Sequence, residues 1–147
     1  GLYNRRHFNL VIEQLFAESQ RYNNDLSCVM IDLDEYKQLN DKFGHQTGDQ
    51  VLVIVGEILR RTMRKSDVAA RYGGDEFVLL LPQCDGAEAH RLVTRIRDDY
   101  RHQTAALLKR ERGMTMSIGI ASAIANQPTN ADELVALTDQ ALYVSKT

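Results

Sequence analysis

Apolar residues recur along the chain in two patterns, one typical of helices and one of strands. Several segments carry apolar residues three or four positions apart, which places them on one face of an α-helix. Shorter runs are continuously apolar or alternate with polar residues, as β-strands do. The predicted strands span 27–33, 67–72, 76–81 and 114–123. Long helices are predicted after Asn4, from Asp49, over 87–100 and after Asn130, with a short polar helix in 34–43 and a helix-breaking turn at 44–48.

Gly73, Gly74 and Asp75 separate two of these strands and predict a β-hairpin. Glycine supplies the positive φ that tight hairpin turns need. The predicted order is therefore helix, strand, helix, helix, hairpin, helix, strand, helix. This order predicts an α+β fold with a mainly antiparallel central sheet flanked by helices.

Length and composition predict one ordinary globular domain. The chain has 147 residues, of which 44% are hydrophobic and 26% charged, with a net charge of −2. That charge gives no support for nucleic-acid binding, and Cys28 and Cys84 are expected to be buried free thiols. No apolar run is long enough to cross a bilayer, so we expect a cytoplasmic domain. Because Gly1 is no natural start, we expect the domain to be excised from a longer protein. Whether that parent protein has a membrane anchor stays open.

Carboxylates stand at two strand ends. Asp32 and Asp34 close the first predicted strand, and Asp75 and Glu76 lie at the hairpin turn. If these elements are neighbours in the sheet, three or four carboxylates meet at one edge, where their repulsion favours a bound cation. Mg²⁺ prefers oxygen ligands and is often shared with substrate phosphates. Most sequences of this kind are solvated turns, which also explains the local pattern, and both interpretations stay open at this point.

The polar residues that follow the first acidic pair suit a nucleotide. Lys37 supplies a cation where a triphosphate would lie, and Asn40 and Asp49 flank a glycine-containing turn. A carboxylate and an amide can pair with the edge of a guanine base. Each residue also has a local explanation, as a turn residue for Asn40 and His45 and as a helix N-cap for Asp49.

Several sequence motifs together resemble the GGDEF family of diguanylate cyclases. These are RYGGDEF, IDLDEYKQLNDKFGHQTGD upstream of it, and SIGIAS and ALYVSK downstream. The likeness covers residues 1–147 as one domain and implies a fold like the palm of nucleotidyl cyclases and polymerases. It implies that two GTP molecules are condensed into cyclic di-GMP with release of two pyrophosphates. In that reaction each ribose 3′-hydroxyl attacks the α-phosphate of the other GTP across a homodimer, assisted by metal.

The resemblance also implies a role for each matching position. Asp32, Asp75 and the Leu33 carbonyl match ligands of two Mg²⁺ or Mn²⁺ ions per active site. Asp75 or Glu76 would assist deprotonation of the 3′-hydroxyl, and Lys37 would stabilise phosphate charge. The implied substrate-binding positions are Gly74, Asn40, His45, Asp49, Lys146 and the backbone amides of Glu35 and Tyr36.

The segment from Arg64 to Asp67 has the form RxxD and ends six residues before Gly73. In many family members this pattern marks a site where product binds and inhibits. Arginine can fork onto phosphate oxygens, and Arg91 and Arg95 would complete such a site from one helix face. The local alternative is a helix end stabilised by its basic residues, followed by an acid that opens a strand.

A catalytically silent domain that binds GTP or cyclic di-GMP and regulates a neighbour is the alternative function. The matching residues Asp32, Lys37, Asn40 and Asp49 favour the enzyme, because a receptor needs no metal pair. We expect the parent protein to supply an upstream sensory or dimerising domain. The family usually continues beyond the last lysine into a segment whose arginine contacts phosphate. The sequence stops at Thr147 without this arginine, so the parent protein would have to supply that contact.

Overall fold

The computed structural model describes residues 2–146, so Gly1 and Thr147 at the ends of the predicted domain lie outside the described residues. The strands are β1 (Leu26–Leu33), β2 (Val68–Arg71), β3 (Glu76–Pro82) and β4 (Met116–Ser122). The helices are α1 (Arg5–Tyr22), α2 (Tyr36–Phe43), α3 (His45–Thr62), α4 (Gly86–Leu108), α5 (Ala123–Asn126) and α6 (Ala131–Lys146).

The four strands form one sheet in the order β2-β3-β1-β4, and each neighbouring pair is antiparallel. β1 is central and pairs with β3 on one side and β4 on the other. In this register Asp32 stands opposite Glu76 on β3 and opposite Ser117 on β4. The predicted α+β fold with an antiparallel sheet flanked by helices is confirmed.

Helices cover both faces of the sheet, which explains why β1 is almost continuously apolar. Side chains alternate between faces along a strand. Val29 and Ile31 pack into a core with α3 and α4, whereas Cys28 and Met30 pack into a second core with α1 and α6. Both cysteines are buried and free, as predicted. None of the helices in residues 2–146 combines the length and apolar character that a membrane span requires.

The predicted turn at 44–48 is wrong for four of its five residues. Gly44 alone ends α2, with φ of 92°, and α3 begins at the next residue, His45. Gly48 lies inside α3 and is buried, because the side chain of Asn40 packs against it. This tertiary contact outweighs the low helix propensity of glycine. Asp49 is accordingly a residue within α3 rather than its N-cap.

Other boundaries differ from the predicted ones. α4 continues to Leu108, well beyond the predicted end at Tyr100, because Tyr100 and Thr104 are both buried on its inner face. The short α5 was not predicted, and β4 begins at Met116. Neither Gly73 nor Gly74 has φ in the left-handed range, so the predicted need for positive φ in this turn is wrong.

Candidate active site

The end of β1 and the turn before β3 lie side by side at one edge of the sheet. The backbone N–H of Leu33 donates to the carbonyl of Asp75 at 3.0 Å, which holds the turn against β1. Partial burial and the nearby Asp32 carboxylate raise the pKa of Asp75 above its usual value. Two carboxylates this close together form a donor set that fits a divalent cation.

The ammonium of Lys146 partly offsets this negative charge. It donates a hydrogen bond to Oδ2 of Asp32, and this bond raises the pKa of the lysine. Lys146 ends α6, so the packing of α6 on β4 brings a cation from the end of the chain to the end of β1. The structure thus joins three of the predicted residues, Asp32, Asp75 and Lys146.

Asp34 lines the same cavity as Asp32 and Asp75, but its carboxylate already has hydrogen-bond partners. Its oxygens accept hydrogen bonds of 2.7 Å from Thr115 Oγ1, just before β4, and from Ser117 Oγ, at the start of β4. Within residues 2–146 no group of three or more acidic, histidine or cysteine side chains is placed to hold a metal. Two carboxylates are still sufficient for Mg²⁺, which commonly keeps water and phosphate as its other ligands.

The start of α2 faces the same region. Its N-cap, Glu35, has φ of 57° and forms no side-chain capping bond, so the first amides of the helix are left for another acceptor. Such amides suit an anion. The exposed Lys37 lies in the first turn of α2. Together with the acidic pair these residues line a cavity of about 880 Å³.

Asn40 lies against the first turn of α3. A Cβ added to Gly48 would overlap Oδ1 of Asn40 and would lie 3.0 Å from the hydroxyl of Tyr36. The Asn40 Oδ1 atom is buried and has no hydrogen-bond partner among the described residues. Asp49 and His45 are exposed on the same helix, α3. An amide, a carboxylate and an imidazole are therefore presented from the α2–α3 junction.

The turn before Asp75 has open space beside Gly74, and the side chain of Arg71 holds it in place. A Cβ added to Gly74 would meet no atom within 4 Å. The guanidinium of Arg71 donates to the Gly74 carbonyl through Nη2 at 2.6 Å and through Nε at 3.2 Å. Nε also approaches the Gly73 carbonyl at 3.3 Å. Arg71 was not predicted as a site residue, although it belongs to the quoted motif.

The whole chain, residues 1–147, matches the family described as diguanylate cyclase, GGDEF domain. The chain belongs to the GGDEF domain family. It is 33% identical over 145 residues to diguanylate cyclase DosC of Escherichia coli, covering 99% of this chain and 31% of that protein. It is 38% identical over 146 residues to cyclic di-GMP phosphodiesterase NbdA of Pseudomonas aeruginosa, covering 99% of this chain and 18% of that protein.

Solved structures agree with the sequence matches. The crystal structure of the GGDEF domain of DgcB from Caulobacter crescentus in complex with cyclic di-GMP aligns with a TM-score of 0.84 and 28% identity. The alignment covers 99% of this chain and 85% of that chain. This GGDEF domain spans less than half of the length of the curated relatives cited above.

A second cavity of this GGDEF domain, of about 420 Å³, brings together all four residues of the predicted product site. Arg64, Asp67, Arg91 and Arg95 all line it, with Glu88 and Cys84. The guanidinium of Arg64 pairs with Asp67 at 3.0 Å and donates to the Pro82 carbonyl at 2.7 Å. The Asp67 side chain is 2% exposed.

Sequence reasoning missed part of the lining of the larger cavity. Arg110 and Arg112 reach it from the loop between α4 and β4, and Thr115 and Ser145 also line it. The loop carries no hydrophobic period, and its only signal was a run of charged residues with a glycine, Arg110 to Gly113. Such a run usually lies on a solvated surface, so only its position in the fold showed that these arginines line the cavity.

Proposed function

We propose that this GGDEF domain is a diguanylate cyclase, which condenses two GTP molecules into cyclic di-GMP and releases two pyrophosphates. The observation that carries the proposal is the convergence of Asp32, Asp75 and Lys146 on a cavity that the start of α2 also lines. Carboxylates for a cation, amides for phosphate and a lysine for charge are the groups that phosphoryl transfer uses. The likeness to DosC, named a diguanylate cyclase, supports the same reaction.

Asp32, Asp75 and the Leu33 carbonyl would hold Mg²⁺ or Mn²⁺, two ions per active site by analogy with two-metal enzymes. A bound divalent cation would neutralise phosphate charge and lower the cost of ionising the 3′-hydroxyl. The amides of Glu35 and Tyr36 and the side chains of Lys37 and Lys146 bind phosphate oxygens in this proposal.

Guanine binds at the α2–α3 junction in this proposal. The buried Oδ1 of Asn40 lacks a partner among residues 2–146, which supports a donor from the base as its missing partner. Asp49 accepts from the base edge, and His45 lies close by on the exposed side. The open space at Gly74 leaves room for the nucleotide beside the turn.

Asp75 or Glu76 accepts the proton of the ribose 3′-hydroxyl. Asp75 lies in the turn that is held against the end of β1 and is also a proposed metal ligand. Glu76 stands opposite Asp32 in the sheet and is half-buried. Either carboxylate is compatible with the reaction, and the two are separated by comparing the pH dependence of the variants Asp75→Asn and Glu76→Gln.

Turnover requires two copies of the domain, because each carries one GTP and the two 3′-hydroxyls must each reach the other α-phosphate. The length of the relatives supports an upstream sensory or dimerising domain in the parent protein, with or without a membrane anchor. Cyclic di-GMP inhibits the reaction by binding in the second cavity, which is lined by Arg64, Asp67, Arg91 and Arg95. The crystal structure of DgcB with cyclic di-GMP supports product binding by a domain of this fold.

The test is product analysis by chromatography after incubation of the chain with GTP and MgCl₂. We expect cyclic di-GMP and pyrophosphate in a 1:2 ratio, and a rate that rises more steeply than linearly with protein concentration while dimers are scarce. Asp75→Ala should remove the product, whereas Asp41→Ala, an exposed acid on α2, should not. GTP binding without product in the wild type would overturn the enzyme and favour a regulatory nucleotide-binding domain.

A further inference from the structure

The loop between α4 and β4, residues 109–115, carries two arginines to the cavity of the candidate active site. Arg110 and Arg112 line this cavity together with Lys37, Lys146 and the start of α2. Neither arginine belongs to the proposed metal, guanine or product sites. The question is what these two side chains bind there.

Packing fixes the path of this loop. A Cβ added to Gly113 would overlap the carbonyl oxygen of Arg101 on α4 and would lie 2.9 Å from Thr104 Oγ1. The N–H of Met114 donates to the same Thr104 Oγ1 at 2.8 Å. Lys109 closes α4 in the left-handed conformation. The backbone of the loop is therefore held against the Arg101 carbonyl and the Thr104 hydroxyl of α4, so its arginines start from a defined position.

The guanidinium of Arg110 is oriented but not neutralised. Its Nε donates to the carbonyl of Arg112 at 2.7 Å, and one terminal nitrogen lies 3.4 Å from the sulfur of Met114. The group also lies 5.9 Å from the centre of the Phe43 ring. Among residues 2–146 no carboxylate lies within 4 Å of Arg110 or Arg112. An arginine has five N–H donors, so most of those on Arg110 stay free for a ligand.

The ligand class follows from the other groups in the cavity. Lys146 is engaged by Asp32, which leaves Lys37 and the two loop arginines as the cations without a carboxylate partner among the described lining residues. Guanidinium groups fork onto phosphate oxygens with better geometry than a lysine does. Asn40 and Asp49, the proposed guanine contacts, are not among the described residues that line this cavity.

We propose that Arg110 and Arg112 bind the terminal phosphates of the nucleoside triphosphate substrate. This assignment rests on the proposed function, because it takes the cavity as the triphosphate site. It predicts that the arginines contribute to binding in proportion to the length of the phosphate chain. The contribution disappears when the ligand carries only its first phosphate.

The experiment measures dissociation constants of GTP, GDP and GMP by calorimetry, with Ca²⁺ in place of Mg²⁺ to suppress turnover. Arg112→Ala is the main variant, because the Arg112 carbonyl that holds Arg110 is retained in it. We expect GTP to bind about tenfold more weakly, GDP to be affected less and GMP not at all. Arg110→Ala should behave similarly, and Arg112→Lys should restore part of the affinity.

Arg101→Ala is the matched control, since it removes the same charge from an exposed position on α4 while its backbone contact with Gly113 is kept. Thermal unfolding shows that each variant is folded. Equal weakening of all three nucleotides, or no weakening by Arg112→Ala, would overturn the assignment. If wild-type protein binds GTP without forming cyclic di-GMP, the cyclase proposal fails while the arginine assignment is still decided by the three affinities. If it binds no GTP, both fail.

Discussion

The ammonium of Lys146 donates a hydrogen bond to Asp32, a residue 114 positions earlier in the chain. The contact joins the last turn of α6 to the end of β1 and places a cation beside two carboxylates. A divalent cation bound by Asp32 would compete with this ammonium, because both need the same oxygen atoms. In the proposed function the lysine would therefore be the counter-ion of Asp32 before metal binds, and it would become available to phosphate when metal and nucleotide bind.

Lys146→Met should separate these two roles. Without the ammonium the Asp32 and Asp75 carboxylates repel each other more strongly, so Tm without metal should fall by about 1–3 °C at pH 7. The lysine pKa is raised in the folded chain, so this stabilisation is present below the usual lysine pKa and is lost as the pH rises through the raised value. The Mg²⁺ concentration that gives half of the metal-induced rise in Tm should decrease, whereas GTP should bind more weakly.

Lys42→Met, which removes an exposed cation from α2, is the control for Lys146→Met. It should change neither the Mg²⁺ midpoint nor the affinity for GTP. A Lys146→Met variant with unchanged Mg²⁺ midpoint would show that the ammonium does not compete with the metal. Thermal unfolding at several MgCl₂ concentrations and calorimetric titration with GTP provide both measurements.

Asp75→Asn should stabilise the metal-free domain while it abolishes product formation. The folded-state pKa of Asp75 is raised, so ionising this carboxyl costs stability as the pH rises through its usual pKa and up to the raised value. The amide removes that cost, so Tm at pH 7 should rise by about 1–2 °C, and the difference should vanish below the usual pKa. Unfolding curves from pH 3 to pH 8 test this, and a lower Tm for Asp75→Asn at pH 7 would contradict it.

The acidic site could be predicted because it follows from strand pairing. Asp32 ends a strand that has to be buried on both faces, and Asp75 lies in the turn of a hairpin that can pair with it. Antiparallel pairing then places both carboxylates at one edge of the sheet. The resemblance to the family suggested the grouping of the RxxD segment with Arg91 and Arg95, and in the structure these residues line one cavity.

Other features depend on contacts that leave no trace in the local sequence. Asp34 has the same local pattern as Asp32, but the hydroxyls of Thr115 and Ser117 donate to it, and these residues lie more than 80 positions away. The start of α3 was missed because Gly48 breaks helices in isolation, and only its contact with Asn40 explains its place inside one. Arg110 and Arg112 lie in a loop without hydrophobic periodicity, and only the packing of Gly113 on α4 shows where these arginines are.

Arg71→Ala should reduce turnover without unfolding the domain. Its guanidinium holds the carbonyls of Gly73 and Gly74, and the next residue is the proposed metal ligand Asp75. Loss of these charge-assisted hydrogen bonds, each worth about 1.5–3 kcal/mol, should free the turn and weaken Mg²⁺ binding. We expect kcat to fall by about tenfold or more, with partial recovery in Arg71→Lys and at high MgCl₂.

Arg6→Ala, an exposed arginine on α1, serves as the control for Arg71→Ala and should keep wild-type kcat. Recovery of activity by added Mg²⁺ is the informative measurement, because a general loss of fold would not respond to the metal. An Arg71→Ala variant with wild-type Mg²⁺ dependence would exclude a role in positioning Asp75.

Gly48→Ala should impair recognition of the base. The new Cβ would overlap Oδ1 of Asn40, so the amide has to move away from its position at the α2–α3 junction. Overpacking of this kind costs about 1–3 kcal/mol, partly offset by the better helix propensity of alanine. We expect GTP to bind about tenfold more weakly and its preference over ITP, which lacks the 2-amino group, to shrink. Competition binding with the two nucleotides measures both effects.

Gly56→Ala in the same helix is the matched control, because a Cβ there meets no atom within 4 Å. It should raise the free energy of unfolding by about 0.5–1 kcal/mol and leave nucleotide preference unchanged. If Gly48→Ala retained the full preference for GTP over ITP, Asn40 would not be a base contact.

Arg95→Ala should relieve product inhibition more cleanly than Arg64→Ala. Arg64 ties Asp67 to the Pro82 carbonyl, so its removal leaves the buried Asp67 carboxylate without a cationic partner, although the backbone N–H of residue 64 still donates to it. This change should lower Tm. Arg95 lines the same cavity from α4 and forms no comparable ion pair among the described residues. We expect Arg95→Ala to raise the half-inhibitory concentration of cyclic di-GMP about tenfold with an unchanged initial rate.

Arg101→Ala, further along α4 and outside this cavity's described lining, controls for the loss of positive charge. Initial rates at increasing cyclic di-GMP, with calorimetric binding of cyclic di-GMP to each variant, provide the comparison. Inhibition curves of Arg95→Ala and wild type that coincide would place the product site elsewhere. Weaker product binding by Arg64→Ala and Arg95→Ala, but not by Arg101→Ala, would identify the cavity between α4 and the start of β2 as the inhibitory site.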